Sequence, residues 1–363
     1  MSGEAPRVLL AGGGTGGHLF PAIAIADEIR QQRPGAVVLF VGTKDKIEAR
    51  VVPQRGDMFS AIWISGFHRS LRLSNLLFPV KVLVSLVQSI FLIRRFRPDI
   101  VIGTGGYVCG PVLSVAARMG VPVVVHESNS VPGVTTRMLS RRANAVFTAF
   151  DVTAAWLPRK DNVQTVGTPV RKSLGTRTRE EGSRTFGLDP GKRTVLVFGG
   201  SLGAASINAA VEQALIPAAV DIGFQIIWQT GRTLAVPAER MQGTGWVGPF
   251  IDAMEDAYAA ADLVVCRAGA ATLAELTRLG KPAILVPFPH AAADHQTMNA
   301  RVLADAGAAL LMPDAAAERG LATEIVRLLS HPARLADMHA AGLRLGKPDA
   351  AEKIARWVLA MVR

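Results

Sequence analysis

The segment LLAGGGTGGHLFPA, residues 9–22, places five glycines and a histidine directly after an apolar run. Glycines between a strand and a helix allow positive φ angles and let backbone N–H groups approach an anionic ligand. In that interpretation His18, at the start of the predicted helix, is a candidate acid or base. The alternative is a tight structural turn in which the histidine only caps the helix.

The rest of the chain repeats this pattern of apolar run, glycine turn and helix. Apolar runs without polar alternation indicate parallel strands covered on both faces, and their alternation with helices indicates a doubly wound α/β architecture. A glycine turn follows a run at Gly12 and again at Gly199. The sequence therefore predicts two Rossmann-like domains with a cleft between them. The predicted strands are residues 8–11, 36–42, 99–103, 122–127, 145–150, 194–200, 224–230, 261–267 and 282–288.

The domain limits follow from composition. Residues 174–193 are polar and short of apolar side chains, which is typical of a connection, and the change of domain is expected within 160–192. We place an N-terminal domain at 1–165 and a C-terminal domain at 166–345. Residues 346–363 form a terminal helix that we expect to pack back on the N-terminal domain.

The composition limits the classes of partner. Of the 363 residues, 49% are hydrophobic, which excludes global disorder, and the net charge of +11 favours an anionic partner. Aromatic residues make up only 6%, without a stacking pattern, which argues against nucleic acid. The two cysteines, Cys109 and Cys266, have neither disulfide-framework nor metal-ligand spacing and are typical of a reduced, cytoplasmic setting.

The most apolar stretch, residues 76–98, leaves two interpretations open. Pro79 and Lys81 interrupt it, so no clean run reaches the roughly 18 residues that a membrane-spanning helix needs. Basic residues flank it in 67–75 and 94–97, which is typical of a helix lying on an anionic bilayer. A buried core helix followed by a surface basic cluster is the equal alternative.

Several expected motifs are missing. The second predicted strand ends without the acid that binds ribose in dinucleotide folds, which argues against a dehydrogenase. The sequence has no P-loop, and no two aspartates stand two positions apart to hold a divalent metal below a nucleotide diphosphate. We therefore expect no cofactor and no required metal. Backbone N–H groups, helix dipoles and Arg171 would stabilise a diphosphate instead.

Seven motifs together resemble one family, the MurG family of bacterial N-acetylglucosaminyltransferases in the lipid cycle of peptidoglycan synthesis. The resemblance covers essentially the whole chain, and the combination is specific although each glycine motif alone is not. The motifs are GGGTGGH (12–18), GTGGYVCGP (103–111), HESNSVPG (126–133), VGTPVR (166–171), GGSLGA (199–204), CRAGAATLAE (266–275) and PFPHAAADHQTMNA (287–300).

The resemblance implies a GT-B glycosyltransferase with the acceptor on the N-terminal domain and the donor on the C-terminal domain. Such an enzyme moves N-acetylglucosamine (GlcNAc) from UDP-GlcNAc to the 4-hydroxyl of undecaprenyl-diphospho-MurNAc-pentapeptide (lipid I), with inversion, and produces lipid II. It would be a peripheral protein at the cytoplasmic face of the inner membrane, with an anionic membrane surface and other cell-wall and division proteins as partners. The resemblance favours the membrane interpretation of residues 76–98.

The resemblance also assigns residues. His18, Glu127 and Asn129 are the implied catalytic residues, with His18 the leading candidate for the base. Gly105, Gly106 and Tyr107 lie on the acceptor side. The implied UDP-GlcNAc residues are Thr15, Gly16, Gly17, Asn129, Arg171, Ser201, Ile251 (main chain, at the uracil), Ala270, Thr272, Glu275 (at the ribose diol), Gln296 and Asn299.

The chain departs from the family pattern at two motifs, and two other functions stay open. Leu202 stands where the family usually has Gln, and Ala268 and Ala271 stand where it has Ser and Leu. One alternative is a GT-B relative that uses another acceptor, such as diacylglycerol. The other is a nucleotide-sugar-binding scaffold without turnover.

Overall fold

The computed structural model describes residues 5–66, 77–241 and 243–362, which divide into two compact units. The first unit runs to Arg171 and resumes at Lys347, and the second is 172–346. The second unit is therefore inserted into the first, and the last helix of the chain belongs to the first unit. Gly167 and Lys347 lie side by side, because a Cβ on Gly167 would be 2.3 Å from the Lys347 Cβ.

The first unit is a parallel sheet with helices along the chain between its strands. Its strands run in the spatial order β3-β2-β1-β4-β5-β6-β7, and every pairing is parallel. The strands are β1 (Arg7–Ala11), β2 (Val37–Gly42), β3 (Met58–Ala61), β4 (Ile100–Gly103), β5 (Val123–Glu127), β6 (Ala145–Thr148) and β7 (Val163–Thr165). The helices are α1 (Gly16–Gln32), α2 (Ile47–Gln54), α3 (Phe78–Phe96), α4 (Cys109–Arg118), α5 (Val134–Leu139) and, from the chain end, α14 (Ala350–Met361).

Helix α14 completes the core of the first unit. Ile354 and Val358 are fully buried in one cluster with Val8 and Leu10 of β1, and α14 packs against α1. Trp357 meets Phe147 edge to face, with 5.8 Å between ring centroids. Apolar side chains of α3, α4 and α5 cover the opposite face of the sheet. Both faces are covered, as the continuous Val and Ile runs predict.

The second unit repeats this architecture around a six-stranded parallel sheet, in the order β10-β9-β8-β11-β12-β13. The strands are β8 (Thr194–Phe198), β9 (Gln225–Gln229), β10 (Gly245–Gly248), β11 (Leu263–Cys266), β12 (Ala283–Leu285) and β13 (Ala309–Leu311). The helices are α6 (Arg179–Thr185), α7 (Ala205–Ala210), α8 (Ile216–Ile222), α9 (Met254–Ala260), α10 (Ala270–Leu279), α11 (His295–Asp305), α12 (Asp314–Leu329) and α13 (Pro332–Leu345).

Residues 174–193, expected to be a connection, fold as part of the second unit. Thr178 and Glu181 form a capping box at the start of α6, in which each side chain bonds the other residue's backbone N–H. Phe186 then packs edge to face on Trp246, with 5.3 Å between centroids. A short polar helix can therefore fold here, because its capping box and one aromatic contact take the place of the apolar stripe from which a helix is predicted.

Candidate functional site

The carboxyl ends of the adjacent strands β1, β4 and β5 bring three predicted loops of the first unit to one edge of its sheet. Two glycines allow the loops that follow β1 and β4 to approach each other closely. Gly106 has φ +88°, and a Cβ there would lie 2.4 Å from the Gly13 carbonyl oxygen. Gly12 leaves room for Thr104, whose hydroxyl donates to the His18 carbonyl oxygen at 2.7 Å. The sequence predictions at Gly105, Gly106 and His18 thus fall on neighbouring loops.

The environment of His18 selects one tautomer. Its Nδ1 lies 3.2 Å from the Gly13 carbonyl oxygen and 3.4 Å from the Thr15 hydroxyl. A carbonyl oxygen only accepts hydrogen bonds, so Nδ1 carries the proton of the neutral ring and the lone pair is on Nε2. The ring packs against Gly105, where a Cβ would be 2.4 Å from the imidazole Cδ2. These contacts therefore fix the orientation of the imidazole.

Behind this loop lies Glu48, a residue that the sequence analysis missed. Its side chain is buried, and its carboxylate accepts hydrogen bonds from the Gly14 N–H, the Thr43 N–H and the Thr43 hydroxyl, each at 2.9 Å. Gly13 and Gly42 leave the space that it occupies, since a Cβ on either would collide with the Glu48 side chain. Glu48 lies in the first turn of α2, after the end of β2, and its carboxylate faces the glycine loop.

Glu127 holds the loop that follows β5. Its two carboxylate oxygens accept hydrogen bonds from the N–H and side-chain amide of Asn129, the Gly133 N–H and the Thr136 hydroxyl, at 2.6–3.1 Å. These bonds keep Glu127 and Asn129 in one rigid loop. Its neighbour His126 is buried, which lowers the pKa of that imidazole, and Nε2 donates to the Gly167 carbonyl oxygen at 2.9 Å.

The remaining predicted residues of the first unit lie near the start of α1 or on the β4 loop. Thr15 is the N-cap of α1, and Gly16 and Gly17 form its first turn. The Arg171 guanidinium lies 5.7 Å from the ring centroid of Phe20 on the same helix, so Arg171 packs with the first unit. Tyr107 is 58% exposed.

In the second unit the predicted residues lie at the carboxyl edge of its sheet. The buried side chain of Gln229, at the end of β9, accepts from the Ile251 N–H and donates to the Gly200 carbonyl oxygen, both at 2.9 Å. Gln229 was not predicted, yet it joins the glycine turn to the Ile251 main chain. Gly203, with φ +81°, approaches β9 so closely that a Cβ would lie 2.1 Å from the Thr230 carbonyl oxygen.

Glu275 and its neighbours form the other half of this edge. The hydroxyl of the buried Tyr258 donates to the Glu275 carboxylate at 2.9 Å, a contact that the sequence did not predict. Ala270 and Thr272 lie in the first turn of α10, where helix N–H groups favour phosphate. Gln296 accepts from the Phe288 N–H at 2.9 Å, and Asn299 is fully buried in α11.

The departure at Leu202 leaves the backbone of the glycine turn in place. The Leu202 side chain is 68% exposed, while its carbonyl oxygen accepts from the Thr233 hydroxyl at 3.0 Å. Ser201, which is also exposed, accepts at its carbonyl from the Arg232 N–H. Backbone groups that could meet a diphosphate are therefore held without the usual Gln.

Helix α3 has one buried and one exposed apolar face. Ser85, Ser89, Ile93 and Phe96 are buried. The exposed side carries Val80, Leu83, Val87 and Phe91 at helical spacing, with Arg94 and Arg95 exposed at its end. One side of α3 is therefore part of the core, and the exposed apolar side leaves the membrane interpretation as a prediction. The predicted basic segment 67–75 lies outside the described residues.

Neither a membrane-spanning helix nor a metal-ligand cluster is found among the described residues. Within residues 5–66, 77–241 and 243–362, no helix has the length and apolarity needed to cross a bilayer. Over the same part of the chain, no three His, Cys, Asp or Glu side chains are grouped as metal ligands.

Comparison with known proteins gives a consistent match. The model of the glycosyltransferase family 28 N-terminal domain matches residues 8–148, and that of the family 28 C-terminal domain matches 194–354. A relative from Salinibacter ruber is 44% identical over 99% of this chain and 98% of its own length, and one from Chlorobium luteolum is 45% identical over 96% and 97%. Both are named UDP-N-acetylglucosamine–N-acetylmuramyl-(pentapeptide) pyrophosphoryl-undecaprenol N-acetylglucosamine transferase. The crystal structure of Acinetobacter baumannii MurG matches with a TM-score of 0.75, 30% identity and coverage of 98% and 99%.

Proposed function

The chain belongs to glycosyltransferase family 28, and from this premise we propose that it transfers GlcNAc from UDP-GlcNAc to lipid I and forms lipid II. The observation that carries the proposal is the similarity to relatives of that name over nearly the full length of both chains. The acceptor binds the loops of the first unit, and the donor binds the carboxyl edge of the second sheet. Both edges present backbone N–H groups at glycine turns, as an anionic substrate needs.

The reaction is a single inverting displacement. The Nε2 of His18 takes the proton of the acceptor 4-hydroxyl as that oxygen forms a bond to the anomeric carbon of GlcNAc. The bond from that carbon to the diphosphate breaks, and UDP leaves with the electron pair. Helix N-terminal N–H groups near Ala270 and Thr272, together with Arg171, stabilise the charge that develops on UDP.

Product formation tests the proposed function directly. The protein is incubated with radiolabelled UDP-GlcNAc and a short-chain lipid I analogue, and label is measured in the lipid phase. Parallel reactions replace lipid I with diacylglycerol or a polyprenyl phosphate sugar. Label in the lipid I product supports the proposal, label only in another acceptor assigns a different GT-B activity, and binding of UDP-GlcNAc without any product assigns a scaffold.

We expect turnover without a divalent metal. The sequence lacks a D-x-D motif, and N–H groups with Arg171 take the place of the metal charge. Excess EDTA should therefore leave kcat within about twofold of its untreated value, since chemistry that depends on a metal loses several kcal/mol of stabilisation. Complete loss that only Mg²⁺ restores would contradict metal independence.

We propose that the exposed face of α3 holds the protein on the anionic cytoplasmic surface of the inner membrane, where the lipid tail of the acceptor lies. The double variant Leu83→Glu with Phe91→Glu should weaken binding to vesicles containing phosphatidylglycerol by at least about tenfold. Two inserted apolar side chains contribute roughly 1.5–3 kcal/mol each, and the new charges repel the anionic lipid.

The matched control for this experiment is Ile222→Glu, which changes an exposed apolar residue of α8 in the second unit. Vesicle flotation of all three proteins at equal salt gives the comparison. Equal binding by the α3 variant and the control would contradict the membrane role of α3.

A further inference from the structure

A single peptide group connects the buried Glu48 to His18. The Gly13 carbonyl oxygen accepts from Nδ1–H of His18 at 3.2 Å, and the N–H of the same peptide, on Gly14, donates to Glu48 Oε2 at 2.9 Å. In a trans peptide the C=O and N–H point in opposite directions, so the carboxylate and the imidazole lie at opposite ends of one dipole. The Glu48 carboxylate, the Gly13–Gly14 peptide and the His18 imidazole are therefore linked by hydrogen bonds in that order.

From this geometry we propose that Glu48 is a positioning residue for the base, orienting and polarising His18 through the Gly13–Gly14 peptide. The inference rests on the proposed function, in which His18 takes a proton. A carboxylate that accepts from a peptide N–H makes the carbonyl of that peptide a stronger acceptor, because linked hydrogen bonds polarise each other. The stronger carbonyl holds the proton on Nδ1 and stabilises the imidazolium that forms after proton transfer. Catalytic histidines more often receive this support from a carboxylate in direct contact.

The site around Glu48 is shaped for its carboxylate. The side chain is 1% exposed and fills a slot that Gly13 and Gly42 leave open. Its second oxygen accepts from the N–H and the hydroxyl of Thr43, so the carboxylate is fixed while Oε2 meets the loop. Burial among neutral donors keeps water from screening the carboxylate, and its charge acts on the adjacent peptide at low dielectric.

Other titratable groups near the imidazole lie on α4 and β5. Burial raises the pKa of Cys109, which contacts Gly105, to about 12, so this thiol stays neutral. His126 on β5 interacts electrostatically with His18 and, with its lowered pKa, is neutral as well. Glu127, which follows His126, is bound by the donors of its own loop. A change at Glu48 can therefore be measured while Cys109 and His126 stay neutral.

The test compares Glu48→Gln with Thr43→Val, which removes one hydrogen bond in the same slot and keeps the carboxylate. The ¹⁵N chemical shifts of His18 report its tautomer and titration, and the pH dependence of the rate reports the ionisation of the base.

For Glu48→Gln we expect a larger share of the Nε2–H tautomer. We also expect kcat to be lower by about 10- to 100-fold, by analogy with the loss seen when the outer hydrogen-bond partners of metal-binding histidines are removed. The acid limb of the kcat/KM profile should move to lower pH, because a negative charge near the imidazole is lost. Thr43→Val should reduce thermal stability without moving either His18 signal.

Two results would overturn the inference. One is a Glu48→Gln protein with the wild-type His18 tautomer and acid limb. The other is a uniform loss of rate at every pH that Thr43→Val reproduces, which is the signature of a structural role alone. If Glu48→Gln does not fold, Glu48→Asp takes its place, since it keeps the charge but withdraws it from the Gly14 N–H, and the His18 tautomer then decides. Absence of lipid product from the wild-type protein would contradict the proposed function, while the NMR comparison would still test the connection from Glu48 to His18.

Discussion

Replacing His18 by Ala should reduce kcat for lipid II formation by about 10²- to 10⁴-fold, the usual contribution of a general base. The physical reason is that Nε2 holds the lone pair, while Nδ1 is committed to the Gly13 carbonyl oxygen. The KM for UDP-GlcNAc should change little, because the ring is not among the residues assigned to the donor. Steady-state kinetics with both substrates varied measures the two effects separately.

The control for this variant is His331→Ala. It removes an exposed histidine at the N-cap of α13, whose Nδ1 hydrogen-bonds the carbonyl oxygen of Arg327 in the last turn of α12. Its kcat should match that of the wild type. A His18→Ala protein with near-normal kcat would remove His18 from the role of base.

Replacing Gly203 by Ala should raise the KM for UDP-GlcNAc at least about tenfold, equivalent to about 1.4 kcal/mol of lost binding. At φ +81° an alanine is strained by roughly 1–2 kcal/mol, and its Cβ would lie 2.1 Å from the Thr230 carbonyl oxygen. Backbone cannot move aside as a flexible side chain can, so the turn must shift away from β9 and from Gln229. Isothermal titration with UDP and steady-state kinetics both measure the change.

Comparison with Gly200→Ala separates the cost of backbone strain from the cost of the clash with Thr230. Gly200 lies in the same turn at φ +88°, but a Cβ there meets no atom within 4 Å. Its alanine variant should show only the cost of strain, with a smaller loss of UDP affinity and a smaller decrease in melting temperature. Equal losses of UDP affinity in the two variants would mean that the close approach to Thr230 does not determine the conformation of the glycine turn that contains Gly200 and Gly203.

The predicted strands are confirmed in the interior of both sheets and fail at the edges. Strands β3, β7, β10 and β13 were not predicted, and they are the four edge strands. Each is three or four residues long and mostly half-exposed, since an edge strand has a neighbour on only one side. Strands β3, β7 and β10 lack the continuous apolar run on which the prediction depended, and β13, although it reads Ala-Leu-Leu, is only three residues long.

The candidate site was also predicted only in part: its loops were found, and the side chains that hold them were not. Glycine turns after apolar runs located the loops, because a strand end and its glycines are adjacent in sequence. The side chains that hold those loops were missed, because each acts on a partner far along the chain. Glu48 reaches Gly14 across 34 residues, Gln229 reaches Ile251 across 22, and Tyr258 reaches Glu275 across 17. Nothing local in the sequence marks those pairs.

The insertion of the second unit has a practical consequence for dissecting the enzyme. Since Gly167 and Lys347 touch, the chain leaves and re-enters the first unit at neighbouring points. Deleting 172–346 and bridging the gap with a few flexible residues would retain all seven strands and α14, whereas cutting the gene after codon 171 would discard the terminal helix and open the hydrophobic core. Fragment studies of acceptor recognition therefore require an excision, and a simple truncation would yield an aggregating protein.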